Sequence, residues 1–174
     1  MTPEGEADAR RAAADLAGVP LDAVASSDLH RARRTAELVG EVLGLGEPLV
    51  EPRLRERSVG EWEGLTFDEI QAGWPGMIEE YRAGRLETPP GGEPLAEFRA
   101  RIVAGLAAVA AAHDGGRVLA VAHGGVLRAL DRMLAVEPMR PVNCSGRWLL
   151  VDGSGTVQAG ECWFPDGATP ARLS

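Results

Sequence analysis

The chain has 174 residues, 45% of them hydrophobic and 25% charged, which is an ordinary composition for one globular domain over residues 1–174. Its formal net charge is −8 and no block of basic residues stands out, so we expect no nucleic-acid partner. No apolar run approaches the roughly 18 residues of a membrane span, and the first residues are polar. We therefore expect no membrane contact, no signal peptide and a cytoplasmic location.

The first half of the chain is predicted to alternate helices with strands. Thr2 offers a capping hydroxyl and Pro3 suits the first helical position, so a helix is expected from there to about Leu16. Residues 22–26 form a short apolar strand, and apolar residues three or four positions apart predict a helix over about 28–43. Those apolar residues are Ala32, Ala36, Val39 and Leu43.

The middle of the chain is less regular. A short strand is expected near residues 49–50, followed by a loop rich in Arg and Gly. The residues from Thr66 to Glu69 form a capping box, which opens a helix. The helical pattern breaks around residues 74–76 and resumes over 77–85.

The second half gives the clearest pattern. It predicts helices over 94–113 and 124–135, a buried strand over 117–122, and two antiparallel strands over about 145–151 and 156–163. This alternation predicts an α/β fold, a three-layer α/β/α sandwich with a mostly parallel central sheet. Because ligands of such sheets bind beyond the carboxyl ends of the strands, we expect a site at the turns that follow strands.

One such turn holds His123, which ends an apolar run and is followed by Gly124, Gly125 and a helical pattern. The first amides of a helix are unpaired and the helix dipole is positive there, so an anion binds well at this place. The other turn holds Arg31, in the first turn of its helix, whose planar fork of donors suits phosphate oxygens. The alternatives are a buried structural His123 and a solvated Arg31.

Other candidate residues are less distinctive. Glu56 lies among three glutamates within eight residues, so it is either an acid–base group or a solvated loop residue. His113 falls in the last turn of a helix and His30 lies beside an arginine, and both are expected to be structural or surface residues. The cysteines Cys144 and Cys162 lack metal-site spacing and are expected to be buried, reduced thiols.

Several segments, in this order, resemble the histidine phosphatase superfamily, which includes the phosphoglycerate mutases. The segments are Thr-Pro-Glu-Gly at 2–5, Ser-Ser-Asp-Leu-His-Arg-Ala at 26–32, Leu-Arg-Glu at 54–56, Gly-Glu-Trp-Glu-Gly at 60–64, Pro-Gly-Gly-Glu at 90–93, Ala-His-Gly-Gly at 122–125 and Asn-Cys-Ser at 143–145. The resemblance covers nearly the whole chain and implies a phosphoglycerate mutase-like fold.

The resemblance also implies a mechanism. Members of the family transfer a phosphoryl group to a nucleophilic histidine, and from there to water or a second substrate. By motif position, Arg31 would clamp the phosphate, His123 would donate to its oxygens and the Gly124 amide would assist. Glu56 would protonate the leaving alcohol and later activate water. No metal or other cofactor is expected, because arginines, histidines and amides supply the electrostatic stabilisation.

The sequence departs from the family in one respect. Members begin with a central strand ending in Arg-His-Gly, which carries the nucleophile, and this tripeptide occurs nowhere in the chain. We expect that the sequence begins after that strand and that the chain as given is inactive. A structure should then show a gap or groove beside the strands at 22–26 and 117–122.

The expected function is a phosphomonoester hydrolase acting on a small phosphorylated metabolite. Within the family, the moderate length and the compact segment 65–93, interpreted as a lid that selects the substrate, suit a phosphatase better than a mutase. Two alternatives remain: a non-catalytic phosphoester-binding protein and a phosphoglycerate mutase-type phosphotransferase. The sequence leaves a homodimer open and does not name the substrate.

Overall fold

The computed structural model describes residues 1–165. The helices in this range are α1 Pro3–Asp15, α2 His30–Leu43, α3 Phe67–Gly73, α4 Met77–Arg82, α5 Leu95–Ala112 and α6 Gly124–Met133. The strands are β1 Ala23–Ser26, β2 Leu49–Val50, β3 Val118–Val121, β4 Gly146–Val151 and β5 Val157–Trp163. Two short 3₁₀ turns, Pro52–Leu54 and Gly60–Trp62, lie between β2 and α3.

The helix ends follow local sequence signals. The Thr2 hydroxyl accepts a hydrogen bond from the Gly5 amide, which caps α1, and the predicted capping box of Thr66 and Glu69 opens α3. The helix predicted over 77–85 ends earlier, at Arg82, so its predicted end was wrong. Gly84 explains the early end, because it adopts a φ of 70°, which breaks the helical path.

Three parallel strands form the central sheet, in the order β2-β1-β3. Ala25 in β1 lies opposite Leu49 on one side and Ala120 on the other. Every residue of β1 is buried, because strands flank both of its edges and helices cover both of its faces. The predicted α/β fold with a parallel central sheet is confirmed.

Helices lie on both faces of this sheet. Successive side chains of a strand point to opposite faces. Val24 packs on one face with α1 and α2, and Ala25 packs on the other with α5 and α6. The larger of these clusters is built on Phe98 and Ile102 of α5 and on Leu130 of α6. This arrangement gives the three layers expected from the sequence.

The strands β4 and β5 form a separate antiparallel sheet. Leu149 and Val151 on one face of β4 pack against the cluster around α5, whereas Trp148 and Leu150 on the other face are exposed. Cys162 of β5 is also exposed and Cys144 is half-buried, so the expectation of buried thiols was wrong. Cys162 is exposed because this small sheet has a covering layer on one face only, and Cys144 lies in the turn before β4.

A buried ion pair ties this small sheet to α6. Asp131 is fully buried and its Oδ1 accepts a hydrogen bond from Arg147 Nε at 2.7 Å. The second carboxylate oxygen accepts from the Met139 amide at 2.8 Å. Arg147 also donates to the Gly160 and Glu137 carbonyl oxygens, each at 2.9 Å. The pair therefore joins α6, the loop after it and both strands of the hairpin.

The central sheet has an open edge along β3. Within residues 1–165, β3 pairs only with β1, and its four residues, Val118–Val121, are half-buried rather than buried. The expectation of a gap beside the strand at 22–26 was wrong, because β1 has a partner on each side. Of these two strands only β3 has an unpaired edge within residues 1–165, and the other outer strand of the sheet is the two-residue β2. No helix in the described range combines the length and apolar character that crossing a bilayer requires.

Candidate active site

Parallel pairing brings the ends of β1 and β3 together. His123 follows β3 and precedes α6, and only 8% of its surface is exposed. Ser27 follows β1 and is fully buried, with its Oγ 2.7 Å from His123 Nε2. Arg31, the second residue of α2, places its Nη2 3.2 Å from His123 Nδ1. The two predicted anion-binding turns therefore form one site.

These two contacts define the protonation of the His123 ring. A guanidinium can only donate, so Nδ1 must accept from Arg31, and the ring proton lies on Nε2, which donates to the Ser27 hydroxyl. This is the neutral imidazole. Burial lowers the pKa of His123 below its ordinary value of 6.5, and the positive charge of Arg31 lowers it further, against the opposing effect of Glu56. The contacts of the two ring nitrogens and the burial of the ring therefore both favour the uncharged form of His123.

Glu56 reaches the same place from the loop between the two 3₁₀ turns. Its Oε2 accepts a hydrogen bond from the Gly125 amide at 2.9 Å, and its Oε1 accepts from the Arg57 amide at 2.9 Å. The Gly125 amide belongs to the first turn of α6, where amides have no acceptor within the helix. A Cβ on Gly125 would overlap the Glu56 carboxylate, so glycine is needed for this approach.

The structure thus places the predicted site residues around the start of α6. Arg31, His123 and Glu56 converge there, and Gly124 is the first residue of the helix. As a first helical residue, Gly124 has an amide without an acceptor in the helix, which suits its predicted role. That role, and the acid–base role of Glu56, remain predictions. His30 is exposed.

Sequence reasoning did not single out two residues that support the site. Ser27 is one residue of the Ser-Ser-Asp-Leu-His-Arg-Ala motif with no distinctive signal of its own, yet its hydroxyl contacts the His123 ring. Arg101 on α5 belongs to no motif in the sequence, although its guanidinium donates to the carbonyl oxygens of Arg55 and Glu56. A sequence pattern does not reveal these contacts, because the partners are far apart in the chain. Ser27 and His123 are separated by 96 positions, and Arg101 lies 45 or more positions from the carbonyls that it binds.

Segment 65–93, which was predicted as a lid, is anchored next to Glu56. Its helices α3 and α4 enclose a small apolar cluster that includes Trp62. Arg57 is buried, and its guanidinium donates to the carbonyl oxygens of Leu86, Glu87 and Glu93. The segment is therefore attached to the loop that carries the candidate acid. Its role in substrate selection stays a prediction.

Comparison with known proteins gives the family. The sequence model of the histidine phosphatase superfamily, branch 1, matches residues 1–153. The chain belongs to the histidine phosphatase superfamily. The sequence motifs that carried the resemblance include the residues that the structure brings together at the start of α6.

Individual members of the superfamily resemble this chain closely. It is 40% identical over 141 residues to the 2,3-bisphosphoglycerate-dependent phosphoglycerate mutase of Methylobacterium radiotolerans. This match covers 77% of this chain and 66% of the mutase. The solved structure of YhfR from Bacillus stearothermophilus aligns with a TM-score of 0.79 and 30% identity, over 97% of this chain and 85% of that one. A mycobacterial glucosyl-3-phosphoglycerate phosphatase, solved in complex with VO₃, aligns with a TM-score of 0.77 and 30% identity, over 92% and 84%.

The histidine phosphatases that it matches are longer proteins. The chain spans 66% of the mutase just described, and 46% of a metal-independent phosphoserine phosphatase of Arabidopsis thaliana. By their names, these two relatives are a mutase and a phosphatase.

Proposed function

We propose that this protein is a phosphomonoester hydrolase that acts on a small phosphorylated metabolite. The observation that carries the proposal is the meeting of Arg31, His123 and Glu56 at the first turn of α6. This arrangement offers a guanidinium and the Gly124 amide to an anion, with an imidazole and a carboxyl group beside them. A vanadium oxyanion in the solved mycobacterial phosphatase is consistent with this chemistry in the family.

Each residue has a role in the proposed reaction. Arg31 holds the phosphoryl oxygens, and His123 joins it by turning its ring N–H from Ser27 to one of them; both stabilise the negative charge that develops there. Glu56, in its protonated form, gives its proton to the oxygen of the leaving alcohol as a nucleophilic histidine forms a bond to phosphorus and the phosphorus–oxygen bond breaks. The resulting carboxylate then takes a proton from the water that attacks the phosphohistidine, so inorganic phosphate leaves and Glu56 regains its proton.

The nucleophilic histidine of this reaction is not among these residues. We propose that it comes from a strand that pairs with the open edge of β3. A strand laid there parallel to β3 ends beside His123, because all three strands of the sheet run in the same direction. The residue after such a strand therefore reaches the phosphate held by Arg31. Without that strand, we expect the chain as given to be inactive.

Two other functions have support. A phosphoester-binding protein without catalysis fits the absence of Arg-His-Gly from the sequence, since Arg31 and His123 alone suffice to bind an anion. A mutase fits the similarity to the Methylobacterium enzyme. The attachment of segment 65–93 beside Glu56 favours neither of them. We prefer the phosphatase because that segment is compact.

The intact mass of the protein from its native source is the first measurement. A mass well above 18.4 kDa would identify the longer form to be tested, and a mass of 18.4 kDa would favour the binding protein. The longer form should release phosphate from an aryl phosphate, and His123→Ala should lower kcat by roughly 10²- to 10³-fold. His30→Ala is the matched control and should keep the parent kcat, since the His30 side chain is exposed.

Binding and transfer separate the alternatives. Calorimetry should show inorganic phosphate binding that Arg31→Ala weakens, and a binding protein would keep this without turnover. Phosphate transfer to a second hydroxy acid that outpaces phosphate release would establish a mutase. Unchanged turnover in His123→Ala would contradict the proposed mechanism.

A further inference from the structure

The candidate acid Glu56 lies in a loop, where no regular helix or strand hydrogen bonds hold the backbone in place. It sits between two 3₁₀ turns, and its own side chain is half-buried. A general acid must nevertheless be held closely, because a displacement of about 1 Å can cost roughly 100-fold in rate. Some other part of the molecule must therefore fix the backbone at this position.

Arg101 on α5 meets this need. Its Nη1 donates to the Arg53 and Arg55 carbonyl oxygens at 2.7 and 2.6 Å, and its Nη2 donates to the Glu56 carbonyl oxygen at 3.0 Å. The guanidinium thus holds three of four successive carbonyls that end at the candidate acid. Arg101 belongs to α5, a helix of 18 residues with one face buried in the core, so it connects the loop to a rigid part of the fold.

Glu93 completes the arrangement. Its two carboxylate oxygens accept from Arg101 Nε at 2.5 Å and from Arg101 Nη2 at 2.8 Å. A guanidinium has five N–H donors, and all five are used in these contacts. Phe98 lies beneath the same group, with its ring centre 4.8 Å from the guanidinium carbon. The orientation of Arg101 is therefore fixed on every side.

We propose that Arg101, oriented by Glu93, is a positioning residue that holds Glu56 at the start of α6. The proposal rests on the proposed function only for the acid–base role of Glu56. Lysine cannot replace arginine here, because an ammonium has three donors and no planar fork. Arg101→Lys keeps the positive charge but cannot hold the carbonyls and the Glu93 carboxylate together.

The first experiment measures the position of Glu56 without any turnover. The Gly125 amide has Glu56 as its acceptor and none within the helix, so its hydrogen exchange reports on that carboxylate. In Arg101→Lys we expect exchange at Gly125 to rise roughly 10- to 100-fold, as for loss of a hydrogen bond to a charged group. Glu93→Gln should raise it by a smaller factor. Arg10→Lys is the control, because Arg10 pairs with Glu41 on the surface, and it should leave exchange unchanged.

The amides of Leu130 in α6 and Ala25 in β1 act as references within the same molecule. Exchange that rises at Gly125 but not at these core amides supports positioning. Unchanged exchange at Gly125 in both variants overturns the proposal. So does an equal rise at all of these amides in both variants, because Arg101 would then stabilise the whole fold rather than the loop.

The second experiment uses the longer form that releases phosphate. A poor leaving group needs a proton from the acid, whereas a nitrophenolate does not. Arg101→Lys should therefore lower kcat for an alkyl phosphate at least tenfold more than for a nitrophenyl phosphate, with little change in KM. Equal losses for both substrates would overturn the positioning role. If Gly125 responds but Glu56→Gln retains full activity, the proposed function fails and the positioning of Glu56 stands.

Discussion

Two adjacent glycines at the start of α6 allow a matched test of the Glu56 contact. Gly125→Ala introduces a methyl group that overlaps the Glu56 carboxylate and must displace it. Gly124→Ala places its methyl group 3.2 Å from Nη1 of Arg128, the mobile end of an exposed side chain, and 3.5 Å from Pro141. Both changes put alanine in the first turn of the same helix. Only the first one breaks the contact with the acid.

The two variants should therefore differ in the free energy of unfolding. Replacing glycine by alanine in a helix stabilises it by up to about 1 kcal/mol, and this applies to both positions. Loss of the bond from the Gly125 amide to a carboxylate costs about 1.5–3 kcal/mol. We expect Gly124→Ala to be neutral or slightly stabilising, and Gly125→Ala to be less stable than the parent by about 0.5–2 kcal/mol.

Urea unfolding at pH 7 measures both values, and a double-mutant cycle identifies the cause. In a Glu56→Ala background the methyl group of Gly125→Ala meets no carboxylate, so the destabilisation should disappear. The described contact would be refuted if Gly125→Ala and Gly124→Ala had equal stabilities. It would also be refuted if the cost of Gly125→Ala persisted without Glu56.

Three further outcomes are expected. Asp131→Ala should lower the free energy of unfolding, measured with urea, by about 3–5 kcal/mol, because the Arg147 guanidinium stays buried without the Asp131 carboxylate. A loss below about 1 kcal/mol would contradict the buried ion pair. Because burial lowers the pKa of His123, the unfolded chain binds that proton at higher pH than the folded one, and stability should fall as pH drops through about 6.5. His123→Gln should remove that part of the pH dependence, and an unchanged slope would show that the ring is not held neutral. Arg57→Met should make segment 65–93 more susceptible to limited proteolysis, while equal cleavage rates would show that Arg57 does not anchor it.

The sequence predicted the helices and the place of the site because both depend on local signals. Apolar spacing indicated α2 and α5, and a strand ending at His123 before two glycines indicated a helix N-terminus. The order of the strands is not a local property, which is why an open edge was expected beside both β1 and β3, whereas in the described residues β1 is paired on both sides and β3 is not. The contacts of Arg101 and Asp131 were not predicted for the same reason, since they depend on how α5 and α6 pack.

The exposure of Cys162 shows a further limit. An apolar, strand-like segment indicates a buried strand only when both faces of its sheet are covered. Here β4 and β5 form a sheet of two strands with one covered face, so alternate residues of an apolar segment face solvent. Nothing in the segment itself distinguishes these two situations.

The open edge of β3 also bears on how the chain behaves in solution. An unpaired row of backbone N–H and C=O groups, flanked by valine and leucine side chains, is a template for any extended polypeptide. Copies that meet along such edges form intermolecular sheets, and rising concentration favours this self-association. A strand laid along β3 would therefore act as a protective cap against aggregation as well as a carrier of chemistry. Loss of solubility in preparations of residues 1–174 should accordingly be separated from loss of catalysis before either is interpreted.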